Sequence, residues 1–263
     1  MEFVTSWIAY IVRVLLGTTL TSSLGTLLLL TLALWFFSVQ VRRGHVPSLR
    51  PIPGYDRIVR MMREARESGQ PIHLSMGLSG LGGKLTPEAL VGLTVLDHLS
   101  REMAISGNSP LVSLADPTLL PLANDMTRES ATQYIPSGEG RLNKVRYIAP
   151  QAIAYAAGVM GLLERERLAG NVLVGSFGDE YLLMGEVGAE KGIQQVGGTS
   201  NLQTLPFVYT SADDILVGEE IFAAGAYLSA IGSHIASLMA QDLGRVCLAL
   251  AIIAGVILKT MGS

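Results

Sequence analysis

The chain has 263 residues, of which 49% are hydrophobic and 16% are charged, and its formal net charge is -3. A soluble domain has about 25% charged residues, so this chain carries more apolar sequence than a soluble core needs. The acidic balance excludes a broad basic surface for nucleic acid. The single cysteine, Cys247, excludes an internal disulfide and a cysteine-rich metal site.

The amino-terminal sequence predicts a membrane anchor over residues 1–43. An apolar stripe at helical spacing, Phe3–Leu16, predicts either a helix at the membrane interface or an extension of the span that follows. The run Leu24–Val41 contains no charged residue and is long enough to cross a hydrocarbon layer of about 30 Å as a helix. Because Arg42 and Arg43 follow it, the positive-inside rule places the next segment in the cytoplasm. The run lacks a small-x-small cleavage pattern, so we expect a retained anchor in the inner membrane.

Residues 44–217 predict a cytoplasmic α/β domain. A helix over Tyr55–Ser68 comes first, and Gly69 ends it. Six short apolar runs then predict buried strands: Ile72–Met76, Leu111–Ala115, Val145–Ile148, Val172–Phe177, Ile193–Val196 and Phe207–Thr210. Most are separated by segments of helical length and period: Pro87–Ser106, Pro117–Tyr134, Pro150–Leu168 and Asp179–Lys191. This alternation predicts a mainly parallel, Rossmann-like layered sheet, flanked by amino- and carboxyl-terminal transmembrane helices.

The segment 218–242 predicts a helix rich in small residues. Small residues recur every four positions in two stripes: Gly225, Ser229, Ser233 and Ser237 form one, and Gly232, Ala236 and Ala240 form the other. Small residues let helices approach closely, so the stripes predict an oligomerisation surface, although packing inside the chain needs the same surface. Polar residues dilute the segment, which favours an amphipathic helix at the membrane or a re-entrant one.

A second membrane span is predicted within residues 243–263. Val246–Leu258 is strongly apolar and lies between Arg245 and Lys259, whose long side chains can reach out of the hydrocarbon. With two spans, the α/β domain lies on one side of the membrane and two short tails lie on the other. Membrane lipids are therefore expected partners, and other membrane proteins are further candidates.

Small polar loops follow the predicted strands, at the edge where parallel sheets bind ligands. The candidate ligand-binding residues are Gly80, Gly82, Gly83, Lys84, Asp116, Ser176, Asp179, Glu180 and Thr199. The first loop can present backbone N–H groups to a phosphate. It is not a P-loop, because Leu78 replaces the required glycine and Leu85 replaces the Ser or Thr that binds magnesium. A turn that only lets helix and strand pack closely would use the same glycines.

The acidic residues of these loops are candidates for acid–base chemistry or metal binding. They are Asp116, Asp179, Glu180, Asp213 and Asp214. Carboxylates at a helix start also stabilise the helix dipole, which is the structural alternative for Asp179 and Glu180. The histidines are isolated in sequence, and no serine has the nucleophile-elbow pattern of a hydrolase. We therefore assign no catalytic residue, no metal site and no cofactor.

Three segments resemble an uncharacterised prokaryotic family of membrane-anchored proteins, a domain of unknown function with membrane segments at both ends. The segments are Ile52–Asp56, Gly80–Gly83 and Gly218–Leu228. The resemblance runs from about Pro51 to the carboxyl terminus. It implies the anchored α/β layout, and it implies no activity, cofactor or catalytic residue.

These features favour a non-catalytic, membrane-anchored protein that assembles as a homo-oligomer or scaffold. The expectation depends on the two spans, the two small-residue stripes and the lack of a recognisable catalytic set. One alternative is a membrane-tethered sensor or enzyme that binds a nucleotide or another anion at the glycine-rich loops. A second alternative is an accessory subunit of a larger membrane complex, which has the same sequence features.

Overall fold

The computed structural model describes residues 20–44, 49–134 and 144–261. The helices are α1 (Leu20–Arg42), α2 (Pro53–Ser68), α3 (Thr86–Ala104), α4 (Leu120–Tyr134), α5 (Ala152–Arg165), α6 (Glu180–Glu190), α7 (Leu205–Ser211), α8 (Ala224–Tyr227) and α9 (Gly232–Met261), with 3-10 turns at Pro117–Leu119 and Gly218–Ala223. The strands are β1 (Ile72–Gly77), β2 (Leu111–Leu114), β3 (Val145–Tyr147), β4 (Gly170–Ser176), β5 (Gln195–Thr199) and β6 (Asp214–Val217). The chain forms two compact units, an α/β domain over Leu49–Ser229 and a unit that contains α1 and α9.

The α/β domain is built on one six-stranded sheet in which every strand pair is parallel. The strand order is β3-β2-β1-β4-β5-β6, the order of doubly wound dinucleotide-binding folds. The predicted α/β class and parallel sheet are therefore confirmed. Five predicted strands are present, with ends displaced by no more than three residues. Gly69 ends α2 in the left-handed conformation, with a φ of +68°, as the sequence predicts.

Helices cover both faces of the sheet because successive strand side chains point to opposite sides. On one face, Leu74 and Met76 of β1 are fully buried, and Met76 lies against Gly92 of α3. On the other face, Leu173 of β4 packs in a core that includes Tyr155 of α5. Both faces of the central strands are therefore shielded from water, as expected for a parallel sheet.

The predicted strand Phe207–Thr210 is wrong, because this segment forms most of α7. Aromatic and β-branched residues give it a strand-like composition, but Pro206 suits the first turn of a helix and Val208 is buried. The sixth strand is β6, which begins at Asp214. The error matters for the site, because it moves Asp213 and Asp214 from the carboxyl edge of the sheet to its amino edge.

The predicted helix over 218–242 is also wrong as a single element. The chain forms a 3-10 turn and the short helix α8, and it then breaks before α9. Ala230 lies in the break with a φ of +48°, a conformation that interrupts helical hydrogen bonding. Helix α9 runs through position 242 without interruption, so the boundary predicted between 218–242 and 243–263 does not divide two helices.

The second unit contains α1 and α9, which pack against each other. The start of α9 lies beside the end of α1, since a β-carbon on Gly232 would come 3.2 Å from Cγ1 of Val41. Within the described residues, only Gly232–Ile257 is long and apolar enough to cross a membrane, and α1 contributes a shorter apolar segment, Leu27–Arg42. A clear amino-terminal span is therefore not found. The interfacial helix predicted over Phe3–Leu16 lies outside the described residues.

Candidate functional site

The switch point of the sheet lies between β1 and β4, where the chain leaves adjacent strands toward opposite faces. The two loops bind each other there. The N–H of Leu78 donates to the carbonyl oxygen of Ser176 (2.8 Å), and the N–H of Ser176 donates to Oγ of Ser79 (2.9 Å). Gly77 has a φ of +60°, and a β-carbon on it would lie 2.1 Å from the Ser176 oxygen. Backbone groups that could hold a ligand at the switch point are therefore engaged with one another.

The glycine-rich loop after β1 is held by side chains of the same domain. Oγ1 of Thr118 accepts a hydrogen bond from the N–H of Leu81 (3.1 Å) and donates to Oδ1 of Asp116 (2.6 Å). Gly80 lies against this carboxylate, and a β-carbon on Gly80 would come 2.0 Å from Oδ2 of Asp116. The structure thus brings Gly80 and Asp116 together. Their close packing explains why position 80 is a glycine.

The far end of this loop is a local turn at the start of α3. The N–H of Gly83 donates to Oγ1 of Thr86 (3.1 Å), and that hydroxyl donates to the carbonyl oxygen of Gly83 (2.7 Å). Gly82 and Lys84 are exposed, and Gly82 adopts a φ of +86°. The exposed lysine is therefore available to an anion in solution.

The candidate residues after β4 and β5 have separate structural roles. Glu180 is buried and accepts the N–H of Gly178 with Oε1 (2.9 Å), whereas Asp179 is exposed. Thr199 is fully buried and accepts the N–H of Asn201 (3.2 Å). These bonds fix the two loops and leave Asp179 as a carboxylate open to solvent.

The carboxylates that the sequence analysis named as candidates do not form one cluster. Asp213 accepts the backbone N–H of Gln195 with Oδ2 (2.7 Å), and Asp214 pairs with Arg57 (2.6 Å), both at the amino edge of the sheet. Asp116 follows β2 at the opposite edge. Among the residues described, no three His, Cys, Asp or Glu side chains are placed to hold a metal ion.

Glu88 and Ser200 form a contact at the carboxyl edge that the sequence analysis missed. Oγ of Ser200 donates to Oε1 of Glu88 (2.6 Å), which joins the loop after β5 to the first turn of α3. The other carboxylate oxygen, Oε2, is buried and has no hydrogen-bond partner in the described part of the chain. A buried acceptor is costly when it is unpaired, so this atom has unused capacity for a hydroxyl or amine. In sequence, Glu88 resembles an ordinary acidic residue of a first helical turn.

A chain of buried polar side chains crosses the sheet, and no sequence motif marks it. We call it the polar chain; its members are Ser113, His73, Ser75, Asn171, Gln195 and Tyr155, each at most 1% exposed. Oδ1 of Asn171 lies 2.7 Å from Nδ1 of His73, and its Nδ2 donates to Oε1 of Gln195 (2.7 Å). On the other side, Nε2 of His73 lies 3.0 Å from Oγ of Ser113. The Tyr155 hydroxyl completes the polar chain at 2.7 Å from Oγ of Ser75 and 2.9 Å from Oγ of Ser113.

The polar chain is uncharged at neutral pH. Burial lowers the pKa of His73 from 6.5 to about 4, although its hydrogen bond with Asn171 opposes this shift. Burial also raises the pKa of Tyr155 to about 12, against hydrogen bonds with Ser113 and Ser75 that lower it. Neither group exchanges a proton near pH 7, and neither reaches solvent. The polar chain therefore organises the sheet and does not form an acid–base pair.

The sequence profile of one protein family, described as Domain of unknown function (DUF6754), matches residues 14–263. The chain belongs to this family. The comparisons with curated proteins and with solved structures gave no match. The resemblance to an uncharacterised family is thus confirmed, and DUF6754 brings no activity or ligand with it.

Two of the three segments that carry the DUF6754 resemblance are in contact. The Tyr55 hydroxyl, from the first segment, donates toward the carbonyl oxygens of Glu220 (2.8 Å) and Ile221 (3.0 Å) in the third. The Tyr55 ring stacks on Tyr227, with centroids 5.2 Å apart. Arg50 forms an ion pair with Glu220, whose Oε2 also accepts the N–H of Val217. These residues anchor the turn after β6 to α2.

The oligomerisation residues predicted for this DUF6754 chain are divided between two elements. Gly225 is buried in α8, whereas Ser233 and Ser237 belong to α9, so the first stripe is not continuous; Ser229 lies in the break. In the second stripe, Gly232 lies against Val41 of α1, and Ala236 is fully buried. Packing inside the chain uses much of this surface, and Ser233 remains exposed.

Proposed function

We propose that this protein is a non-catalytic, membrane-anchored assembly protein that forms a homo-oligomer at the cytoplasmic face of the inner membrane. The proposal depends mainly on the apolar outer surface of α9. Only 6% of its most apolar 18-residue window is buried inside the chain. Exposed large side chains include Val246, Leu250 and Ile253. Such a surface needs lipid or protein around it.

Charged residues indicate where the lipid-covered part of α9 begins and ends. Arg245 and Asp242 pair at 3.0 Å just before the apolar run, and Lys259 follows it. A charge near the bilayer centre costs about 2.5–3.5 kcal/mol on insertion scales. We therefore place Leu243–Leu258 in the hydrocarbon, with Asp242 at the headgroups and the side chains of Arg245 and Lys259 reaching out of the hydrocarbon.

We propose α1 as the second anchor. Its side chains from Leu27 to Leu30 are exposed, as are Trp35 and Phe36, and Arg42 lies in its last turn. Aromatic rings near the end of an apolar helix, followed by arginine, are typical of a cytoplasmic membrane boundary. Two anchors would place the α/β domain in the cytoplasm and both chain ends outside.

The contacts at the carboxyl edge support a non-catalytic role. Asp116 is bound to Thr118, the loops after β1 and β4 bind each other, and Glu180 caps its own loop. A general acid or base must reach a substrate within about 2.6–3.2 Å. The polar chain offers no such access, because its side chains are completely buried.

Membrane fractionation and cysteine labelling test the anchoring. In a Cys247→Ser background, Ser263→Cys should react with a membrane-impermeant maleimide in intact cells. Gln203→Cys, in the α/β domain, should react only after the membrane is opened. Release of the parent chain by alkaline carbonate, or labelling of the two sites in the reverse pattern, would contradict the proposed topology.

Native mass spectrometry in mild detergent tests the assembly. The chain has a mass of 28.0 kDa, so a homo-oligomer should give one fixed multiple of that value. A monomer would contradict the oligomer. A foreign chain in fixed ratio would favour an accessory subunit of a larger membrane complex instead.

A second candidate function is a membrane-tethered small-molecule sensor or enzyme. The specific observation in its favour is the buried, unpaired Oε2 of Glu88 beside the exposed loop that contains Lys84. A ligand with both a donor group and an anionic group would suit this pair. Nucleotides and inorganic phosphate should raise the melting temperature of the wild type and not of Glu88→Gln if this candidate is correct. No shift with any of them would remove it.

A further inference from the structure

We propose that Trp35 and Phe36 lie in the lipid headgroup layer on the cytoplasmic side of the membrane, and that α1 and α9 continue beyond it as a short stalk. The two rings are called here the headgroup surface; Trp35 is 67% exposed and Phe36 is 52% exposed. Their partner is the phospholipid headgroup. The inference rests on the membrane anchoring in the proposed function, and it adds the depth of α1 in the bilayer.

The two helices run antiparallel from a contact at one end of the pair. A β-carbon on Gly232, at the start of α9, would come 3.2 Å from Cγ1 of Val41, near the end of α1. Because α1 leads to this contact and α9 leads away from it, the packed helices have opposite directions. Small residues along α9 are shielded on one side of the helix: Ala236 and Ala240 are buried, and Gly244, Ala251 and Ala254 are partly buried. Positions equally far from the contact therefore lie at about the same depth.

Charged and polar side chains set the depth of the bilayer on α9. The side chains of Asp242 and Arg245 are 71% and 52% exposed, so α1 does not shield this ion pair. An exposed carboxylate avoids hydrocarbon, which places the start of the hydrocarbon directly after Asp242. Ser233, His234 and Gln241 are also exposed, so the turns of α9 before Asp242 suit water.

The same depth on α1 falls at Thr31. Asp242 lies ten residues after Gly232, and Thr31 lies ten residues before Val41, which is about 15 Å along each helix. Oγ1 of Thr31 donates to the carbonyl oxygen of Leu27 (2.8 Å), so this hydroxyl is satisfied without water. The exposed leucines before Thr31 then lie in the hydrocarbon.

This depth places the two aromatic rings at the headgroups. Trp35 lies four residues, or about 6 Å, to the cytoplasmic side of Thr31. The headgroup layer extends about 5–7 Å beyond the hydrocarbon, and a tryptophan ring, with its apolar body and N–H donor, is typical of that layer. The segments Ser38–Arg42 and Gly232–Ile235 lie farther out and form the stalk.

The alternative depth is the span that the sequence of α1 predicts, Leu24–Val41. With Val41 at the edge of the hydrocarbon, Asp242 would lie about 15 Å deep, near the bilayer centre, with its side chain exposed to lipid tails. Trp35 would then lie about 4 Å from the centre of that span. The charge on α9 favours the headgroup surface, and the depth of Trp35 separates the two placements.

Fluorescence quenching of Trp35 tests the headgroup surface. Trp7→Phe leaves Trp35 as the only tryptophan of the chain. The full chain is reconstituted in phosphatidylcholine vesicles whose acyl chains carry bromine either next to the headgroup or near the methyl end. Because Trp35 lies at the headgroups, we expect the shallow bromine to quench it at least about twofold more strongly than the deep bromine. Equal quenching, or stronger quenching by the deep bromine, would overturn the headgroup surface.

Ile253→Trp is the matched control on α9, in a chain with Trp7→Phe and Trp35→Phe. Ile253 is 55% exposed and lies eleven residues after Asp242, about 16 Å into the hydrocarbon. The deep bromine should therefore quench this variant more strongly. If it does so and Trp35 is quenched by neither bromine, the headgroup surface is wrong and anchoring by α9 stands. If neither chain is quenched, the membrane anchoring itself fails.

Cysteine labelling checks the boundary on α9 independently. In the Cys247→Ser background, Gln241→Cys should react with a membrane-impermeant maleimide once the cells are opened. Leu248→Cys is the control, because Leu248 is 54% exposed but lies in the hydrocarbon, and it should not react. Equal protection of the two positions would place Gln241 among the lipid tails and overturn the headgroup surface, although the chain would remain anchored.

Discussion

Nδ1 of His73 lies 2.7 Å from Oδ1 of Asn171, and both side chains are fully buried on paired strands of the sheet. The positions of the protons follow from Gln195, the residue of the polar chain that is bonded to Asn171. Nε2 of Gln195 donates to the carbonyl oxygens of Gly185 and Ser211. Oε1 of Gln195 must then accept from Asn171, which turns Oδ1 of Asn171 toward His73. His73 is therefore the tautomer protonated on Nδ1, and its Nε2 accepts from Ser113.

The polar chain makes stability depend on pH. The pKa of His73 falls from 6.5 in the unfolded chain to about 4 in the folded one, so the unfolded state binds the extra proton more readily. Its contribution to stability is complete above pH 6.5 and is lost as pH falls toward 4. The loss amounts to about 3 kcal/mol at about 1.4 kcal/mol per pKa unit. Denaturant titrations of the detergent-solubilised chain between these pH values should show it.

A His73→Gln variant isolates this contribution from other titrating groups. His98 also has a lowered pKa, caused first by burial, and it acts in the same direction. We therefore expect the pH profile of the variant to be flatter than that of the wild type but not flat. Parallel profiles would mean that His73 does not titrate as its burial requires.

Asn171 is the central link of the polar chain, so its loss should be costly. Asn171→Leu leaves Nδ1 of His73 and Oε1 of Gln195 buried without partners. Each orphaned group costs about 1–3 kcal/mol, and we expect a loss of about 2–4 kcal/mol in the free energy of unfolding. Gln203→Leu is the control, because Gln203 is exposed and should change stability by less than about 0.5 kcal/mol. Equal effects of the two substitutions would contradict the structural role of the polar chain.

The sheet could be predicted from sequence because it depends on local signals. Short apolar runs alternate with periodic segments, and a proline lies at the start of several helices. The failure at Phe207–Thr210 has a different cause: its composition suits a strand, whereas Pro206 at the helix start and the burial of Val208 favour a helix. The burial of Val208 is a long-range effect that local composition does not contain.

The candidate site residues show the same limit of prediction from local sequence. The sequence placed Gly80 and Asp116 in loops after two strands of a parallel sheet. The structure shows that these strands, β1 and β2, are neighbours, and it brings the two residues into contact. The polar chain escaped prediction because its members lie on four strands and one helix and are separated from their partners by up to 98 residues. Glu88 escaped for a similar reason, since its partner Ser200 is 112 residues away. Hydrogen-bond pairing between distant strands leaves no local pattern.

The glycine-rich loop offers a comparison between two glycines. Gly80→Ala would place a β-carbon 2.0 Å from Oδ2 of Asp116, so the loop or the carboxylate must move. We expect a loss of about 1–3 kcal/mol in the free energy of unfolding. Gly83→Ala is the matched control, because no atom lies within 4 Å of its β-carbon. Denaturant titration should separate the two variants, and equal stability would contradict the close packing at Gly80.

A substitution of Tyr55 tests the contact between the segments Ile52–Asp56 and Gly218–Leu228. Tyr55→Phe keeps the ring that stacks on Tyr227 but removes the hydroxyl that donates to the carbonyl oxygens of Glu220 and Ile221. A buried hydrogen bond contributes about 0.5–1.5 kcal/mol, and an orphaned acceptor adds to the cost, so we expect a loss of about 1–2 kcal/mol. Tyr209→Phe, on an exposed ring, should be nearly neutral.

Hydrogen exchange locates the effect of Tyr55→Phe in the chain. Val217 donates its N–H to Glu220, so this amide should exchange faster when the turn after β6 is loosened. The amides of β4 lie two strands away in the sheet and should keep their protection. A uniform rise in exchange across the α/β domain would instead show that Tyr55 stabilises the whole fold and not this turn.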